Sequence, residues 1–213
     1  LPWVAPVCVL LIFILQFFDW VGVYPGGRLG AASQGAWGAA FGSIWVDPDL
    51  KEKFWNTSKK DESPGPSVLA IFYLLLFVLL VLPVTIASVV IDRIPVKLPP
   101  GLQNIMPWKF GIVAAVNLIV FLFLLLQLAF GFSIESKYKE LVKASFGSTE
   151  GKPTTEAKQV EAERDMRLQA LSTTFWLRLA VTLHVIAIIA ALLMYWLERR
   201  GPNKPLPYLE LRW

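Results

Sequence analysis

His184 is the only histidine in the chain, and it lies inside a long apolar run. Imidazole titrates close to neutral pH, so such a group can pass a proton or ligate a metal through a ring nitrogen. A lone histidine excludes a bis-histidine haem within one chain. It leaves open single ligation of a haem or chlorophyll-type tetrapyrrole, with Ala180 one turn earlier leaving space on that face. A proton relay is the weaker reading, because no series of carboxylates leads to His184. Asn117 falls at a similar depth in the preceding apolar run, where an amide–imidazole hydrogen bond to His184 is feasible. A second polar group, Gln16, Asp19, Gln127 and Arg178, sits nearer the outer ends of the runs, with Arg178 expected to pair with Asp19 or be capped by Gln127. Ionisable groups are costly in lipid, which makes these residues functional candidates. The plainer reading is that polar pairs fix helix packing, each contributing from a fraction of a kcal/mol to ~2 kcal/mol.

Other chemistry has little support. Metalloprotease, phosphate-loop, serine-hydrolase and cysteine–histidine patterns are absent from the sequence. With Cys8 alone, neither an intrachain disulfide nor a cysteine metal cluster can form. Asp47 with Asp49, and Asp61 with Glu62, are paired carboxylates, but they neighbour lysines and prolines and read as solvated charge. The stretch 26–30, GGRLG, follows Pro25 and reads as a turn, and Asn56-Thr57-Ser58 matches a glycosylation sequon that arises often by chance. The sequence requires no cofactor and points to no resident metal beyond the remote option at His184.

The elements that position these residues are four apolar runs: 3–18, 67–91, 108–132 and 173–196. A hydrocarbon core of ~30 Å needs only ~20 helical residues at 1.5 Å each. The chain is 55% hydrophobic and only 17% charged, well below the quarter expected of a soluble domain. The fold expected is therefore all-α and integral to a membrane, a single domain over 1–213. The first run lacks a basic leader and a small-residue cleavage site and reads as a retained helix. Pro64-Gly65-Pro66 precedes the second run, Ser67 is a plausible N-cap, and Pro83 should kink its second half. The proline-rich connection 92–107 makes the second and third helices antiparallel neighbours.

Two loops are elaborated. In loop 19–66, residues 29–46 carry no charge and read as an interfacial or re-entrant element, or as an ordered loop packed on helix ends. Gly35, Gly38 and Gly42 form a small-residue patch for helix packing or assembly. Trp20, Trp37, Trp45, Trp108 and Trp196 are expected as interfacial anchors. A short helix is expected near 50–55. In loop 133–172, helical periodicity on either side of a breaker at 147–153 predicts that helices three and four continue beyond the bilayer as one antiparallel hairpin, followed by a tail at 197–213. The hairpin is either a solvated pair or a docking surface.

Bases crowd the ends of the short connection and of the last helix, at Arg93, Lys97, Lys109, Arg199, Arg200 and Lys204. They place both termini and the connection in the cytoplasm, although the two long loops hold more bases in total. Loops without disulfides suggest a bacterial inner membrane. Four helices, a long first outer loop with tryptophans, a short inner loop and inner termini resemble the claudin-like tetraspan layout. The loop cysteines of that layout are missing here, and the second loop departs from it as a helical hairpin.

The functional expectation is a non-catalytic integral membrane subunit or scaffold that assembles with itself or with other membrane proteins. The rival from another class is a protomer of an oligomeric channel or transporter lined by Asn117, His184 and Arg178; a tetrapyrrole-binding subunit is third. Membrane lipid is the expected partner, and nucleic acid is not, since basic residues are spread rather than striped.

Overall fold

The computed structural model describes residues 2–24, 30–48, 65–91, 93, 103–146 and 154–200. The 26–30 turn, the 50–55 helix, the sequon, the Asp61-Glu62 pair, most of the proline-rich connection, the 147–153 breaker and the tail after Arg200 lie outside them.

Each apolar run is helical. The helices are α1 (Val4–Leu15), α3 (Val68–Val90), α4 (Lys109–Phe130) and α7 (Phe175–Arg199), ending within three residues of the expected bounds. Three helical stretches, containing α3, α4 and α7, are long and apolar enough to cross a membrane. α1, at 12 residues, is shorter. It packs along α7, whose inward face is rich in small residues: Ala180, Ala187, Ala190 and Ala191 share it with Leu177, Leu183 and His184. Small side chains let backbones approach closely where lipid offers no hydrophobic drive to association. α4 lies on the other side of α7 and also packs on α3.

Pro83 acts on α3 as its chemistry requires. It has no N–H to give the carbonyl four residues back. The helix widens just ahead of it into a π segment, Phe77–Val81, in which the Leu82 N–H bonds the Phe77 carbonyl five residues earlier.

The molecule is mostly helical but not all-α. The described part of the 29–46 stretch, residues 30–46, holds a strand β2 (Ala32–Gly35), a short helix α2 (Ala36–Phe41) and a strand β3 (Trp45–Val46). With β1 (Asp19–Val23) and β4 (Leu171–Thr173) they build one antiparallel sheet in the order β3-β2-β1-β4. The β1–β4 pairing sets Val21 opposite Thr173 and Val23 opposite Leu171, which joins the first loop to the second. Thr174 completes the joint: it caps α7, its N–H bonds the Trp20 carbonyl, and its hydroxyl donates to the Asp19 carbonyl. The register between β1 and β2 shifts between Asp19 and Val21. That bulge breaks strict alternation, so Trp20 and Val21 are both buried.

The expected continuous hairpin is interrupted at both ends. α4 stops at Gly131, whose φ of 81° is a conformation glycine adopts without strain, and a new helix α5 (Ser133–Phe146) begins after Phe132. On the return, α6 (Thr154–Gln169) does not run into α7, because Leu171–Thr173 extends to pair with β1. α5 and α6 do pack on each other, with Tyr138 and Val142 buried against Val23, Leu168 and Leu171.

The Gly35 position is tight. A Cβ there would stand 2.7 Å from the Phe18 carbonyl oxygen, which the α1–β1 junction holds in place. Gly35→Ala is expected to destabilise by about 1–3 kcal/mol in a thermal melt. Gly65→Ala, where an added Cβ meets nothing within 4 Å, is the matched control expected to melt like the parent.

Candidate functional site: a buried polar seam between the helices

α3 carries polar groups toward α4 and α7 at two levels. At the upper level Tyr73, wholly buried, bonds His184 with 3.1 Å between the hydroxyl and Nε2. The imidazole is fully enclosed, with the rings of Phe121, Phe77 and Tyr73 centred 5.6, 5.8 and 5.9 Å away. Its Nδ1 has no partner. Gln16, at the end of α1, approaches the Tyr73 hydroxyl without completing a hydrogen bond, and both atoms of its buried amide are unpaired. Ser67, the N-cap of α3, donates to Gln127 Oε1, while Gln127 Nε2 donates to the Gly131 carbonyl at 2.7 Å.

The lower level is Asn117, Thr85 and Ser88. Asn117 Nδ2 donates to the Val113 carbonyl at 2.9 Å and faces Thr85 Oγ1 at 3.5 Å. Ser88 donates back to the Thr85 carbonyl at 2.7 Å. Asn117 and His184 therefore do not bond each other; both address α3, one through Thr85 and the other through Tyr73. Arg178 and Asp19 are both exposed, no ion pair joins them among the described residues, and Gln127 is engaged by Ser67 and Gly131 rather than by Arg178.

The chain matches no known protein family, no curated protein and no solved structure. Its chemistry rests on its own geometry.

That geometry treats the remaining candidates unequally. Trp20 is not an interfacial anchor: it is 1% exposed, its indole N–H donates to the Leu15 carbonyl at 2.9 Å, and its ring meets Tyr73 and Phe132 edge-on. Trp37 is half-buried between Phe17 and Phe41. Trp45, Trp108 and Trp196 are exposed, and Arg199 and Arg200 lie over the rings of Trp108 and Trp196 at 4.0 and 3.8 Å. The glycine patch is occupied within the chain. Gly35 abuts the Phe18 carbonyl, Gly38 abuts the Ser43 carbonyl, and Gly42 ends α2 in the left-handed region.

Two residues with central roles, Tyr73 and Gln34, carry no signal in the sequence beyond being polar within apolar stretches. Gln34 is buried beneath the sheet, where its amide donates to the Ser43 carbonyl at 3.1 Å and accepts from the Ile134 N–H at 3.2 Å. It also exchanges hydrogen bonds with the Ser133 hydroxyl. Outside the helices, burial and then the nearby Asp19 carboxylate hold the Tyr24 hydroxyl above its ordinary pKa.

Among the described residues no group of three or more His, Cys, Asp or Glu side chains is placed to hold a metal ion. Ligation of a tetrapyrrole by His184 would require opening its aromatic enclosure, since Nδ1 is buried without a partner and Nε2 makes the Tyr73 bond. Tyr73→Phe removes that bond while keeping the ring, and is expected to lower stability by about 1 kcal/mol. A melt in mild detergent reads this, with Tyr195→Phe as control.

Proposed function

We propose that the chain is a four-span, non-catalytic integral membrane subunit or scaffold that assembles with copies of itself or with other membrane proteins. One observation carries this reading: the polar side chains within the bundle largely address one another between helices, as Tyr73 does His184, Thr85 does Asn117 and Ser67 does Gln127. Such pairs hold helices together rather than line a continuous aqueous path.

The membrane slab follows from aromatic residues at the helix ends. On α7 Trp176 and Trp196 are both exposed, and twenty residues at 1.5 Å separate them by ~30 Å, the thickness of a hydrocarbon core. On α4 the exposed pair Trp108 and Phe130 gives a similar ~33 Å. α1 is read as the fourth span because it packs beside α7 and turns Val7, Leu10, Leu11 and Ile14 outward on its lipid side. The sheet then lies at the outer level, α5 and α6 project beyond it, and Arg93, Lys109, Arg199 and Arg200 lie at the cytoplasmic level with both termini. A bacterial inner membrane remains the favoured setting on the single-cysteine argument.

The oligomeric channel or transporter is the second reading. Unpaired buried atoms favour it: the Gln16 amide, His184 Nδ1 and the Asn117 Oδ1 oxygen. Reconstitution of the wild type, His184→Leu and Asn117→Leu into liposomes separates the two. The subunit reading expects no ion or solute flux from the wild type, and variants that keep their helices but associate or melt less well. Wild-type flux that is abolished in folded variants would overturn it in favour of transport.

A further inference from the structure

The cytoplasmic end of the bundle carries a feature that helix packing leaves unexplained. Between the last turns of α3 and the start of α4 lies a cavity of about 230 Å³. Val84, Ala87, Ser88 and Ile91 form one wall, and Ile105, Met106, Lys109 and Ile112 form the other. The wall is apolar in effect, since the Ser88 hydroxyl is already bonded to the Thr85 carbonyl. The volume accommodates about eight groups of methylene size at ~30 Å³ each, and its open, apolar wall suits an apolar ligand.

The charged groups near its rim are mostly basic. Lys109 lines the cavity, and Arg93 follows two residues after the lining residue Ile91. Arg199 sits over Trp108, next to Lys109 in sequence. Glu198 is the acidic side chain here and bonds Lys109 at 3.2 Å. Among the described residues at this end of the bundle, Arg93, Lys109, Arg199 and Arg200 stand against Glu198. A methylene-sized slot topped by excess positive charge is complementary to one molecule with both properties, an acyl chain carrying an anionic headgroup.

We propose that this cavity is a binding site for an anionic glycerophospholipid, with an acyl segment between α3 and α4 and the phosphate at the Lys109–Arg199 rim. The site goes beyond the subunit reading and does not depend on it. An apolar protein side chain could fill the slot, but it would bring no negative charge to the net basic rim. Basic pockets between transmembrane helices at the cytoplasmic level are suited to anionic headgroups.

Native mass spectrometry of the full chain, purified in mild detergent and titrated with dioleoylphosphatidylglycerol or dioleoylphosphatidylcholine, tests the assignment. The wild type is expected to retain phosphatidylglycerol over phosphatidylcholine by roughly fivefold or more. Ala87→Phe fills the slot from an exposed position and is expected to abolish retention of both lipids. Lys109→Gln is expected to keep residual retention and lose the headgroup preference. Should Ala87→Phe fail to melt like the parent, Ala87→Leu serves with a smaller loss of the same sign. Equal retention of the two lipids by the wild type, or undiminished phosphatidylglycerol retention by the folded Ala87 variants, would overturn the proposal.

Discussion

Trp20→Ala is expected to be the most damaging single substitution, costing about 3–5 kcal/mol. The indole is 1% exposed at the point where α1 passes into the sheet. Its ring packs edge-on against Tyr73 of α3, centroids 5.7 Å apart, and against Phe132 between α4 and α5, 6.4 Å apart. The β1 bulge turns it inward, and its N–H donates to the Leu15 carbonyl, which also accepts the Phe18 N–H in the turn that ends α1. Truncation would leave a cavity against Tyr73 and Phe132 and remove one of the two hydrogen bonds to the Leu15 carbonyl. For a chain of this length a loss of that size lowers the melting temperature by roughly 6–20 °C. Fluorescence-detected melting in detergent reads it, with Trp45→Ala as the exposed counterpart expected to change little. A Trp20→Ala shift no larger than that of Trp45→Ala would contradict the placement of Trp20.

The second large effect is at Gln34. Gln34→Leu keeps the approximate volume and removes every hydrogen bond of the amide. The Ile134 N–H and the Ser43 carbonyl then lose their partners beneath the sheet. The buried Ile134 N–H left unsatisfied costs about 1–3 kcal/mol, and with the part-buried bonds to Ser43 and Ser133 also lost a total near 2–4 kcal/mol is expected. Hydrogen exchange gives a local reading beyond the melt. Protection of the first turn of α5 should fall selectively in Gln34→Leu, while the centre of α4 keeps its protection. Uniform protection in both would mean that Gln34 does not tie the sheet to α5.

Much of the fold was legible because hydrophobicity can be read along one dimension. Each apolar run shows its own helix, and Ser67 and Pro83 show their effects locally as a cap and a helix distortion. The sheet was not legible. Its strands are two to five residues long, β2 contains no β-branched residue, and β1 finds its β4 partner at the far end of the sequence. No local periodicity encodes such a pairing. The loop's glycines did signal close approach, but the backbone approached belongs to the same chain, at Phe18 and Ser43.

The polar seam was legible in depth but not in direction. Counting residues from a helix end places Asn117 and His184 at similar heights. It does not fix the rotation of either helix, and both turn toward α3 rather than toward each other. Tyr73 is not legible as a polar group because a tyrosine within an apolar run reads as bulk, although its hydroxyl is the partner of the only histidine. Trp20 misled in the opposite way, since a tryptophan at a helix end suggests an interface anchor and here fills the core.

The central claim is that this bundle, with both outer loops gathered into one sheet, serves as a building block of a larger membrane assembly. The most direct measurement is the mass of the protein-containing particle extracted from native membranes in polymer nanodiscs without prior detergent. The claim predicts a protein mass of at least twice the 23.9 kDa of one chain, from further copies or from stoichiometric membrane partners. A particle holding a single chain and no other protein would contradict it.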